Sequence, residues 1–497
     1  MMKSFSGLAL MSLLALGSDA HGHHSPKDCC TALADEKKLR GKVWTPSDSQ
    51  YDERLAQYYS LNAAQAPWCM VVPEDTKDVS EIMKIISRNE CPFGMRSGGH
   101  GAFEGSNSIK DGVTIDLGYM NSTNYDKHHE VARIQPGATW GSAFSALAPY
   151  DVVAVGGRAT PVGVGGFTTG GGYSFHTGVR GFACDNIRSF EVVLGDGKVV
   201  RADEKHHTEL WKALKGGSGN FGIVTEFEAE VVPSAIIDAS LAVYLNDKSP
   251  QLLQSYYDFV NRWHEEPESQ IVLAKSFMGG MWVVGAISSN VGGKETSAFD
   301  SFLNIDALQR VPAKGPASEV VPLFSESTPN GQYANWQTGT VAHDTEILAV
   351  MDSIAEEYVA QMVEAVGATA FEVIFQLQPV TKEVVDIMNA RGGNIMGLEA
   401  VVANGAVNMY NIVLTVKTAA DQDAILPIAF AMNKAIQDKA TELGHNRNWV
   451  FPNYAHGSQN PMSHYGSENI ALMKAVSEKY DRQGVFQKLR GTGFHLP

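Results

Sequence analysis

Two glycine-rich segments constrain this chain more than any other feature of its sequence. The first, RSGGHG, occupies residues 96–101, and the second, GVGGFTTGGGY, occupies residues 163–173. Both follow short apolar runs. Residues without a Cβ let the backbone approach a ligand closely and present several N–H groups to one anion. We therefore expect the two segments to meet at one site. A pyrophosphate is the ligand that such hydrogen-bond donors suit.

Side chains within these segments can add to the backbone donors. The hydroxyl groups of Ser97, Thr168 and Thr169 can form further hydrogen bonds to an anion. Arg96 either supplies positive charge to that anion or forms a structural ion pair, and the sequence leaves both possibilities open.

A third segment, GSGNFG at residues 217–222, matches the pattern GxGxxG. That pattern binds dinucleotides where a strand precedes it and a helix follows. Here residues 210–215 are predicted to be helical and residues 223–232 alternate like a strand, so we reject a Rossmann site. The sequence also lacks a Walker A motif, a GxSxG elbow and an HExxH motif. A nucleotide hydrolase, a serine hydrolase and a zinc protease therefore lose their simplest support.

The hydrophobic pattern changes part-way along the chain. Short apolar runs separated by turns predict strands of an α+β domain at residues 113–117, 131–135 and 152–155. From about residue 236, longer helical patterns interleaved with strands predict a second domain. Its helices are expected at 251–264, 344–366 and 421–443, and its strands at 372–378 and 407–416.

A turn signal interrupts the first domain at Gly195-Asp196-Gly197. Residues 191–194 and 198–201 on either side are strand-like, and Asp-Gly accommodates the positive φ angles of a tight hairpin turn. The segment therefore predicts a β-hairpin.

The first twenty residues have the features of a secretory signal peptide. Lys3 is an early cation, residues 8–16 are apolar, and Ser18 and Ala20 are small residues of the kind that signal peptidase accepts. No other apolar run approaches the roughly 20 residues that cross a bilayer. We therefore expect a secreted protein without a membrane partner.

Cysteine usage agrees with that route. The five cysteines are Cys29, Cys30, Cys69, Cys91 and Cys184, and none forms a CxxC pair. In an oxidising compartment this set favours one or two disulfides over a zinc site, and we predict no metal. We expect Cys69 to pair with Cys29 or Cys30. An N-glycosylation sequon lies at residues 121–123.

The charge balance limits the partners. Lys and Arg number 39 against 55 Asp and Glu, a net charge of −16. A chain this acidic offers little to a nucleic-acid backbone, so we expect no nucleic-acid partner.

Further motifs follow the glycine segments in order. They are DN at 185–186, LGDG at 194–197, LWKALKGGSGNFGIVTEF at 210–227, and Asn453-Tyr454, Tyr465-Gly466, Tyr480-Asp481 and Phe486 near the end. Together the set resembles the berberine-bridge-enzyme-like FAD-linked oxidases of the vanillyl-alcohol-oxidase superfamily, in particular fungal members of secondary metabolism. The resemblance covers most of the chain.

This resemblance implies an α+β fold in which a two-part FAD-binding domain of the PCMH type joins a substrate domain. The substrate domain is expected to contain an antiparallel sheet covered by helices. The implied division is a signal peptide (1–20), an N-terminal extension (21–65), the FAD-binding domain (66–235), the substrate domain (236–448) and a C-terminal segment returning to the FAD domain (449–497).

The resemblance also implies the residues that hold FAD. They are Arg96, Ser97, Gly98, Gly99, His100, Gly101, Val162, Gly163, Gly165, Gly166, Thr168, Thr169, Gly170, Gly172, Tyr173, Asn220, Gly222, Val224, Asn453 and Tyr454. In this family the His of RSGGH is bonded to the flavin 8α-methyl, so His100 is the implied attachment. A second attachment, through a Cys before GVGG, falls on Ala159, and we therefore expect a single covalent link. Val162 matches the oxygen gatekeeper, and its small side chain resembles that of the oxidases.

The implied reaction moves a hydride from a substrate C–H to the flavin while a base takes a proton, and dioxygen becomes hydrogen peroxide. Tyr454 is the first candidate for that base or its partner. A phenol, with a reference pKa of about 10, needs a nearby cation or a polar network for this task. The family's carboxylate base aligns with Gly397, and Glu399, on the same face if the segment is a strand, is its candidate replacement.

Other candidate residues lie shortly after the second glycine segment and in the second domain. Gln376, Gln378 and Tyr410 are expected on neighbouring strands and can line the pocket. His176 and Arg180 can hold an anionic or carbonyl group of the substrate.

Three alternatives to the oxidase remain open. One is a sugar or oligosaccharide oxidase, against which Ala159 counts because such relatives attach the flavin twice. The second uses the flavin as a scaffold for an isomerisation or cyclisation, with Glu399, His176 or Tyr454 as the acid. The third is a non-catalytic flavin-binding protein. The expected partners are a small-molecule substrate and dioxygen, and the expected state is a monomer.

Overall fold

The computed structural model describes residues 26–233, 236–325 and 330–497. The signal peptide predicted at residues 1–20 lies outside these ranges, as does the start of the predicted extension. The strands are β1 (Val43–Trp44), β2 (Cys69–Val71), β3 (Phe93–Arg96), β4 (Val113–Asp116), β5 (Thr123–Asp126), β6 (Val131–Ile134), β7 (Val152–Ala154), β8 (Ile187–Val193), β9 (Val199–Asp203), β10 (Ile223–Pro233), β11 (Ile236–Leu245), β12 (Ser269–Met278), β13 (Met281–Asn290), β14 (Gln309–Pro316), β15 (Tyr333–Ala342), β16 (Phe371–Val380) and β17 (Val407–Val416).

Helices separate and cover these strands. They are α1 (Pro26–Ala34), α2 (Ser49–Leu55), α3 (Thr76–Arg88), α4 (Trp140–Leu147), α5 (Val164–Thr169), α6 (Thr177–Arg180), α7 (Thr208–Leu214), α8 (Ser249–Arg262), α9 (Asp300–Leu303), α10 (Ala317–Leu323), α11 (Thr345–Val366), α12 (Lys382–Ala390), α13 (Leu398–Val401), α14 (Ala419–Glu442), α15 (Ser467–Tyr480) and α16 (Val485–Lys488). None of the described helices has the length and the hydropathy that crossing a membrane would require.

The described strands form three sheets, which confirms the predicted α+β class. The first has the order β1-β2-β4-β3, with parallel pairing of β2, β3 and β4. The second has the order β5-β6-β10-β8-β9, with β7 also paired to β10. The third is a seven-stranded antiparallel sheet with the order β14-β11-β13-β12-β16-β17-β15. The first two sheets precede the third in the chain, and α11 and α14 pack together over the third.

Local sequence signals account for several of these elements. The Asp75 side chain caps α3 by accepting a hydrogen bond from the backbone N of Asp78 at 2.9 Å, and the apolar stripe of that helix is buried. The predicted hairpin is confirmed, because β8 pairs with β9 through Val193 and Val199 and Gly197 has a φ of 80°. The rejection of a Rossmann site is also confirmed, since α7 precedes residues 217–222 and β10 follows them.

Two disulfides tie the N-terminal part of the chain to the first sheet. Cys30 pairs with Cys69, which is one of the two expected pairings, and Cys29 pairs with Cys91, which was not predicted. The two bonds span sequence separations of 39 and 62 residues. Cys184 is buried as a free thiol.

The two faces of the third sheet have different environments. Phe375 and Tyr410 stack at 5.6 Å between ring centres on the face toward α14. The Tyr410 hydroxyl donates a hydrogen bond to Asn433 Oδ1 of α14 at 2.7 Å. Because side chains alternate along a strand, Gln376 and Asn411 point to the opposite face.

Candidate cofactor and substrate site

A cavity of about 440 Å³ lies between the glycine segments, the third sheet and the C-terminal residues. The lining residues of the third sheet come from β12, β13, β15, β16 and β17. The cavity therefore joins the two parts of the molecule that the sequence assigns to a nucleotide and to a substrate.

The two glycine segments pack back to back at one end of this cavity, as expected. A Cβ on Gly98 would lie 2.5 Å from the Cα of Gly163, so neither position tolerates a side chain. Ser97 Oγ donates to the carbonyl of Pro136 at 2.5 Å and accepts from the backbone N of Gly165 at 3.2 Å. This hydroxyl fixes the distance between the segments.

The same end of the cavity fits a bound dinucleotide. Gly166 is exposed to the cavity, and a Cβ there would meet no atom within 4 Å, so the chain leaves open space above the backbone. Ser106 Oγ and Asn107 Oδ1, on residues that line the cavity, are buried without a hydrogen-bond partner. Space beside glycine backbone and unpaired polar atoms are what a polar ligand would fill and satisfy.

His100 lies in the cavity wall between two aromatic rings. Its imidazole stacks on Tyr59 at 4.2 Å between ring centres and meets Trp336 edge-on at 6.0 Å. Burial lowers the pKa of His100 to about 4, because desolvation disfavours the charged imidazolium. The ring is therefore neutral near pH 7 and its unprotonated nitrogen is free to act as a nucleophile.

Tyr454 stands at the centre of a hydrogen-bonded group inside the cavity. Arg158 Nη2 donates to the Tyr454 hydroxyl oxygen at 3.1 Å and to Gln378 Oε1 at 2.5 Å. The Gln378 amide lies within 3.2 Å of the same hydroxyl group. The structure thus supplies both the cation and the polar network that a reactive phenol needs. Sequence analysis missed Arg158, whose only signal was its position beside Ala159.

Strands β16 and β17 form the substrate-side wall of the cavity. Glu372, Ile374 and Gln376 pair across the sheet with Thr415, Val413 and Asn411, and all six line the cavity. The wall thus passes from an exposed charge at Glu372, through an aliphatic pair, to amide groups near Tyr454.

The C-terminal segment closes the cavity beside the glycine segments. Arg490, which lines the cavity and is buried, donates to Asn220 Oδ1 at 2.7 Å and to the carbonyl oxygens of Thr492 and Phe494. Burial lowers the pKa of Arg490 to about 10, which leaves the guanidinium charged at neutral pH.

Comparison with known proteins identifies the cofactor. Residues 67–203, which include both glycine segments, match the family model described as FAD binding domain. The chain is 31% identical to the FAD-dependent monooxygenase sdcF of Emericella nidulans over 487 residues, covering 94% of this chain and 98% of that protein. The chain belongs to the family of FAD-dependent oxidoreductases that includes this relative.

Solved structures show the same fold. The 6-hydroxy-D-nicotine oxidase of Arthrobacter nicotinovorans superposes with a TM-score of 0.75 at 20% identity, covering 92% of this chain and 98% of that one. A glucooligosaccharide oxidase of Acremonium strictum, described with a 6-S-cysteinyl, 8α-N1-histidyl FAD, superposes with a TM-score of 0.72 at 19% identity over 94% and 99% of the two chains.

Most of the residues predicted to hold FAD in this oxidoreductase line the cavity. They are Ser97, Gly98, Gly99, His100, Gly101, Val162, Gly163, Gly165, Gly166, Thr169, Gly170, Tyr173, Gly222, Val224, Asn453 and Tyr454. Gln376, predicted as a pocket residue, also lines the cavity.

Arg96 is a correction to that set. Its side chain is buried beneath the first glycine segment, where Nη1 lies 3.6 Å from Asp116 Oδ2 and donates to the Arg54 carbonyl at 2.6 Å. The guanidinium carbon also lies 3.9 Å from the centre of the Tyr58 ring. Of the two roles left open by the sequence, Arg96 has the structural ion pair.

Three other predicted residues lie behind the cavity wall. Asn220 is buried and donates to the carbonyl of Phe494 at 3.0 Å, which holds the C-terminal segment in place. The backbone N of Gly172 donates to Asn453 Oδ1 at 2.9 Å and positions that side chain. Thr168 is fully buried, with its hydroxyl oxygen unpaired among the described residues.

Glu399 and Tyr410 do not reach the cavity. Glu399 is exposed on the short helix α13, so the segment is not the strand on which the candidacy of Glu399 depended. The turn at Gly397 has a φ of 69°, and a Cβ there would lie 2.3 Å from the Tyr465 carbonyl oxygen. Tyr410 lies on the helix-facing side of the third sheet, where its hydroxyl is bonded to Asn433.

His176 and Arg180 also lie outside the residues that line the cavity. His176 is buried, and desolvation together with the charge of Arg180 lowers its pKa to about 4. Arg180 Nη1 lies 3.9 Å from Glu230 Oε2. The expectation that these two side chains contact the substrate is therefore corrected, and the cation beside Tyr454 in the cavity is Arg158.

Proposed function

We propose that this oxidoreductase is a secreted oxidase that uses covalently bound FAD to oxidise a small alcohol, amine or activated C–H, with dioxygen as the acceptor and hydrogen peroxide as product. The observation that supports this function is the placement of Tyr454 and Arg158 in the cavity that the two glycine segments and His100 also line, with both side chains hydrogen-bonded to the buried Gln378. Bound FAD supplies a hydride acceptor that dioxygen can reoxidise.

Tyr454 is proposed to take the proton from the substrate O–H or N–H. The hydrogen bond from Arg158 stabilises negative charge on the phenolic oxygen, because hydrogen bonds that involve a charged group are stronger than neutral ones. Gln378 holds the hydroxyl group from its other side and fixes its direction. Proton transfer by a positioned side chain contributes about 10²- to 10⁴-fold to the rate.

His100 is proposed to hold the flavin through a single covalent bond. Its neutral imidazole has the protonation state that bond formation requires, and Tyr59 and Trp336 restrict the ring. Ala159, which lines the same cavity, has no thiol group and cannot form the second link of the glucooligosaccharide oxidase. This difference counts against an oligosaccharide substrate.

Val162 is proposed as the residue that admits dioxygen. It lines the cavity between the two glycine segments and is half-buried. Replacing Val162 with the larger Leu should slow reoxidation of the reduced flavin in stopped-flow absorbance, while reduction by substrate continues at a similar rate.

The remaining parts of the proposal concern the environment of the enzyme. The signal sequence predicted at residues 1–20 and the two disulfides support secretion. The proposed partners are a small-molecule substrate and dioxygen, and the proposed state is a monomer.

A second candidate function is monooxygenation. It is favoured by the relative sdcF, which is named a FAD-dependent monooxygenase. A monooxygenase would place one oxygen atom of dioxygen in its product, whereas an oxidase would release both atoms as hydrogen peroxide.

One set of measurements tests these functions. The purified protein should be yellow, and its colour should stay with the polypeptide after acid precipitation. A panel of small alcohols, amines and oligosaccharides, assayed for dioxygen uptake and peroxide release, should give a ratio of one with the substrate. Label from ¹⁸O₂ in the product would establish the monooxygenase instead, and turnover without dioxygen or flavin bleaching would establish the isomerase or cyclase.

A further inference from the structure

Arg158 points to the chemical class of the substrate. We propose that the cavity selects an organic anion, whose carboxylate or other oxyanion contacts Arg158 while its apolar body lies along Ile374 and Val413. This inference rests on the proposed function, because it names the substrate class of the same site.

The charge of Arg158 is not neutralised by the protein. Among the described residues, its two hydrogen-bond acceptors, Gln378 Oε1 and the Tyr454 hydroxyl oxygen, are both on neutral side chains. Nη1 is buried without a hydrogen-bond partner, and in the part of the chain that the structure describes Arg158 forms no ion pair with a carboxylate. The guanidinium carbon lies 4.9 Å from the centre of the Tyr173 ring, which gives only a weak compensating interaction.

An unpaired, half-buried cation favours a ligand that carries negative charge. Removing a guanidinium from water costs free energy, and a buried charge is normally offset by an opposite charge with good hydrogen bonding. A carboxylate can accept two hydrogen bonds from a guanidinium in parallel, and such pairs are among the strongest in proteins. A ligand anion would therefore supply what the cavity wall lacks beside Arg158.

The other charged groups of the cavity lie elsewhere. Glu372 is exposed at the outer end of β16, six residues from Gln378, which corresponds to about 20 Å along a strand. Arg490 is bonded to Asn220 and to two carbonyl oxygens at the glycine end of the cavity. His100 is neutral near pH 7. An anion held by Arg158 is thus far from the Glu372 carboxylate at the exposed end of the cavity.

Between Glu372 and the amides of Gln376 and Asn411, the wall is apolar. Ile374 and Val413 face each other across β16 and β17, and Phe175 and Phe324 also line the cavity. A substrate with an acidic head and an apolar body therefore matches the order of groups along the wall. Sugars, which place hydroxyl groups on every side, match it less well.

Paired probes test the inference without knowledge of the natural substrate. Benzoate and benzamide have the same ring and nearly the same size, and benzoate alone is charged at pH 7. Each is titrated into the flavin-loaded protein, and binding is followed by the change in visible flavin absorption. We expect benzoate to bind at least about tenfold more tightly than benzamide, a difference of about 1.4 kcal/mol. The wild-type comparison alone decides the question if a variant fails to fold.

Variants assign the preference to one side chain. Arg158→Met should remove the preference for benzoate, because it should weaken the binding of benzoate far more than that of benzamide, while Arg158→Lys should retain part of the preference. Glu383→Gln, an exposed carboxylate of α12 that does not line the cavity, is the matched control and should change the affinity for benzoate by less than about twofold.

The outcomes separate this inference from the function on which it rests. Equal binding of both probes, no response to benzoate, or a preference that persists in Arg158→Met would each overturn the anionic substrate. Loss of bound flavin from the wild-type protein would instead overturn the proposed function.

Discussion

Tyr59 and His100 stack ring on ring, with centres 4.2 Å apart and planes inclined by 23°. The backbone N of Tyr59 also donates to the carbonyl of Gly99 at 3.0 Å, so the chain after α2 is fixed to the first glycine segment by two contacts. The stacked ring restricts the imidazole that we propose to bind FAD.

That stack predicts how efficiently the flavin is attached. Tyr59→Leu should lower the covalently bound fraction by a factor of about 2 to 10, because an aromatic pair contributes about 0.5–1.5 kcal/mol. Tyr59→Phe, which keeps the ring, should match the wild type, and His100→Ala should have no covalent flavin. In-gel flavin fluorescence after denaturation measures the fraction. Equal losses in the Leu and Phe variants would show that the ring does not act on the imidazole.

A larger side chain at position 166 is expected to prevent cofactor binding without preventing folding. A valine there would occupy the open space above the second glycine segment without a clash in the protein itself. Gly166→Val should therefore lower the flavin content at least several-fold and leave the far-ultraviolet circular dichroism unchanged. Gly285→Val is the matched control, because that strand residue lies outside the cavity and its added Cβ would meet its nearest atom at 3.7 Å. Full flavin content in Gly166→Val would exclude this end of the cavity as the nucleotide site.

Arg158 and Tyr454 should behave as one unit in catalysis. Tyr454→Phe is expected to lower kcat by about 10²- to 10⁴-fold with the substrate found in the panel. Arg158→Met should lower it as well, and the double variant should lose little more than Tyr454→Phe alone, because residues that act together are not additive. Partial recovery in Arg158→Lys would agree with a role for the charge. Additive losses would mean that the two side chains act independently.

The burial of His176 predicts that the folded protein loses stability in acid. Burial lowers its pKa from 6.5 to about 4, so between these values the unfolded chain binds a proton that the folded protein does not. The free energy of unfolding should therefore fall as the pH decreases from about 6.5 to about 4, by up to about 3 kcal/mol from this residue. Denaturant titrations across this range should show a smaller fall in His176→Gln. The exposed His264→Gln is the control, and a change in its profile equal to that of His176→Gln would contradict the assignment.

Removal of either disulfide is expected to lower the free energy of unfolding. Replacing Cys29 and Cys91 together with Ser should cost about 2–5 kcal/mol, because the bond closes a long loop in the unfolded chain. The Cys30 and Cys69 pair closes a shorter loop and should cost slightly less. Guanidinium titration under oxidising conditions measures both variants, and unchanged midpoints would contradict a stabilising role.

Elements set by local patterns could be predicted from the sequence. Strand β17 has the bounds that the apolar run predicted, and α11 begins one residue after Asp344, its cap. For these two elements, a run of β-branched residues or a stripe of apolar residues at helical spacing is enough to predict the element. The candidacy of Glu399 as a base was wrong, because the turn at Gly397 depends on close packing against Tyr465, which lies far along the chain.

Contacts between distant residues limited the prediction of the site. Arg96 is the first residue of one glycine segment, and Arg158 lies shortly before the other. Only the positions of Asp116 and Tyr454 decide which of the two guanidinium groups reaches the cavity. The cysteine pairing was limited in the same way. Successive residues of a helix project about 100° apart, so Cys29 and Cys30 of α1 point to different partners.

The alternation along β16 and β17 separates two properties of this enzyme. Phe375 and Tyr410 secure the sheet to its helices, whereas Ile374, Gln376 and Val413 face the ligand space. Changes at the second set alter which molecules are accepted at little cost in folding free energy. Homologous enzymes with the same framework can therefore acquire new reactants by exchanging every other side chain of two neighbouring strands.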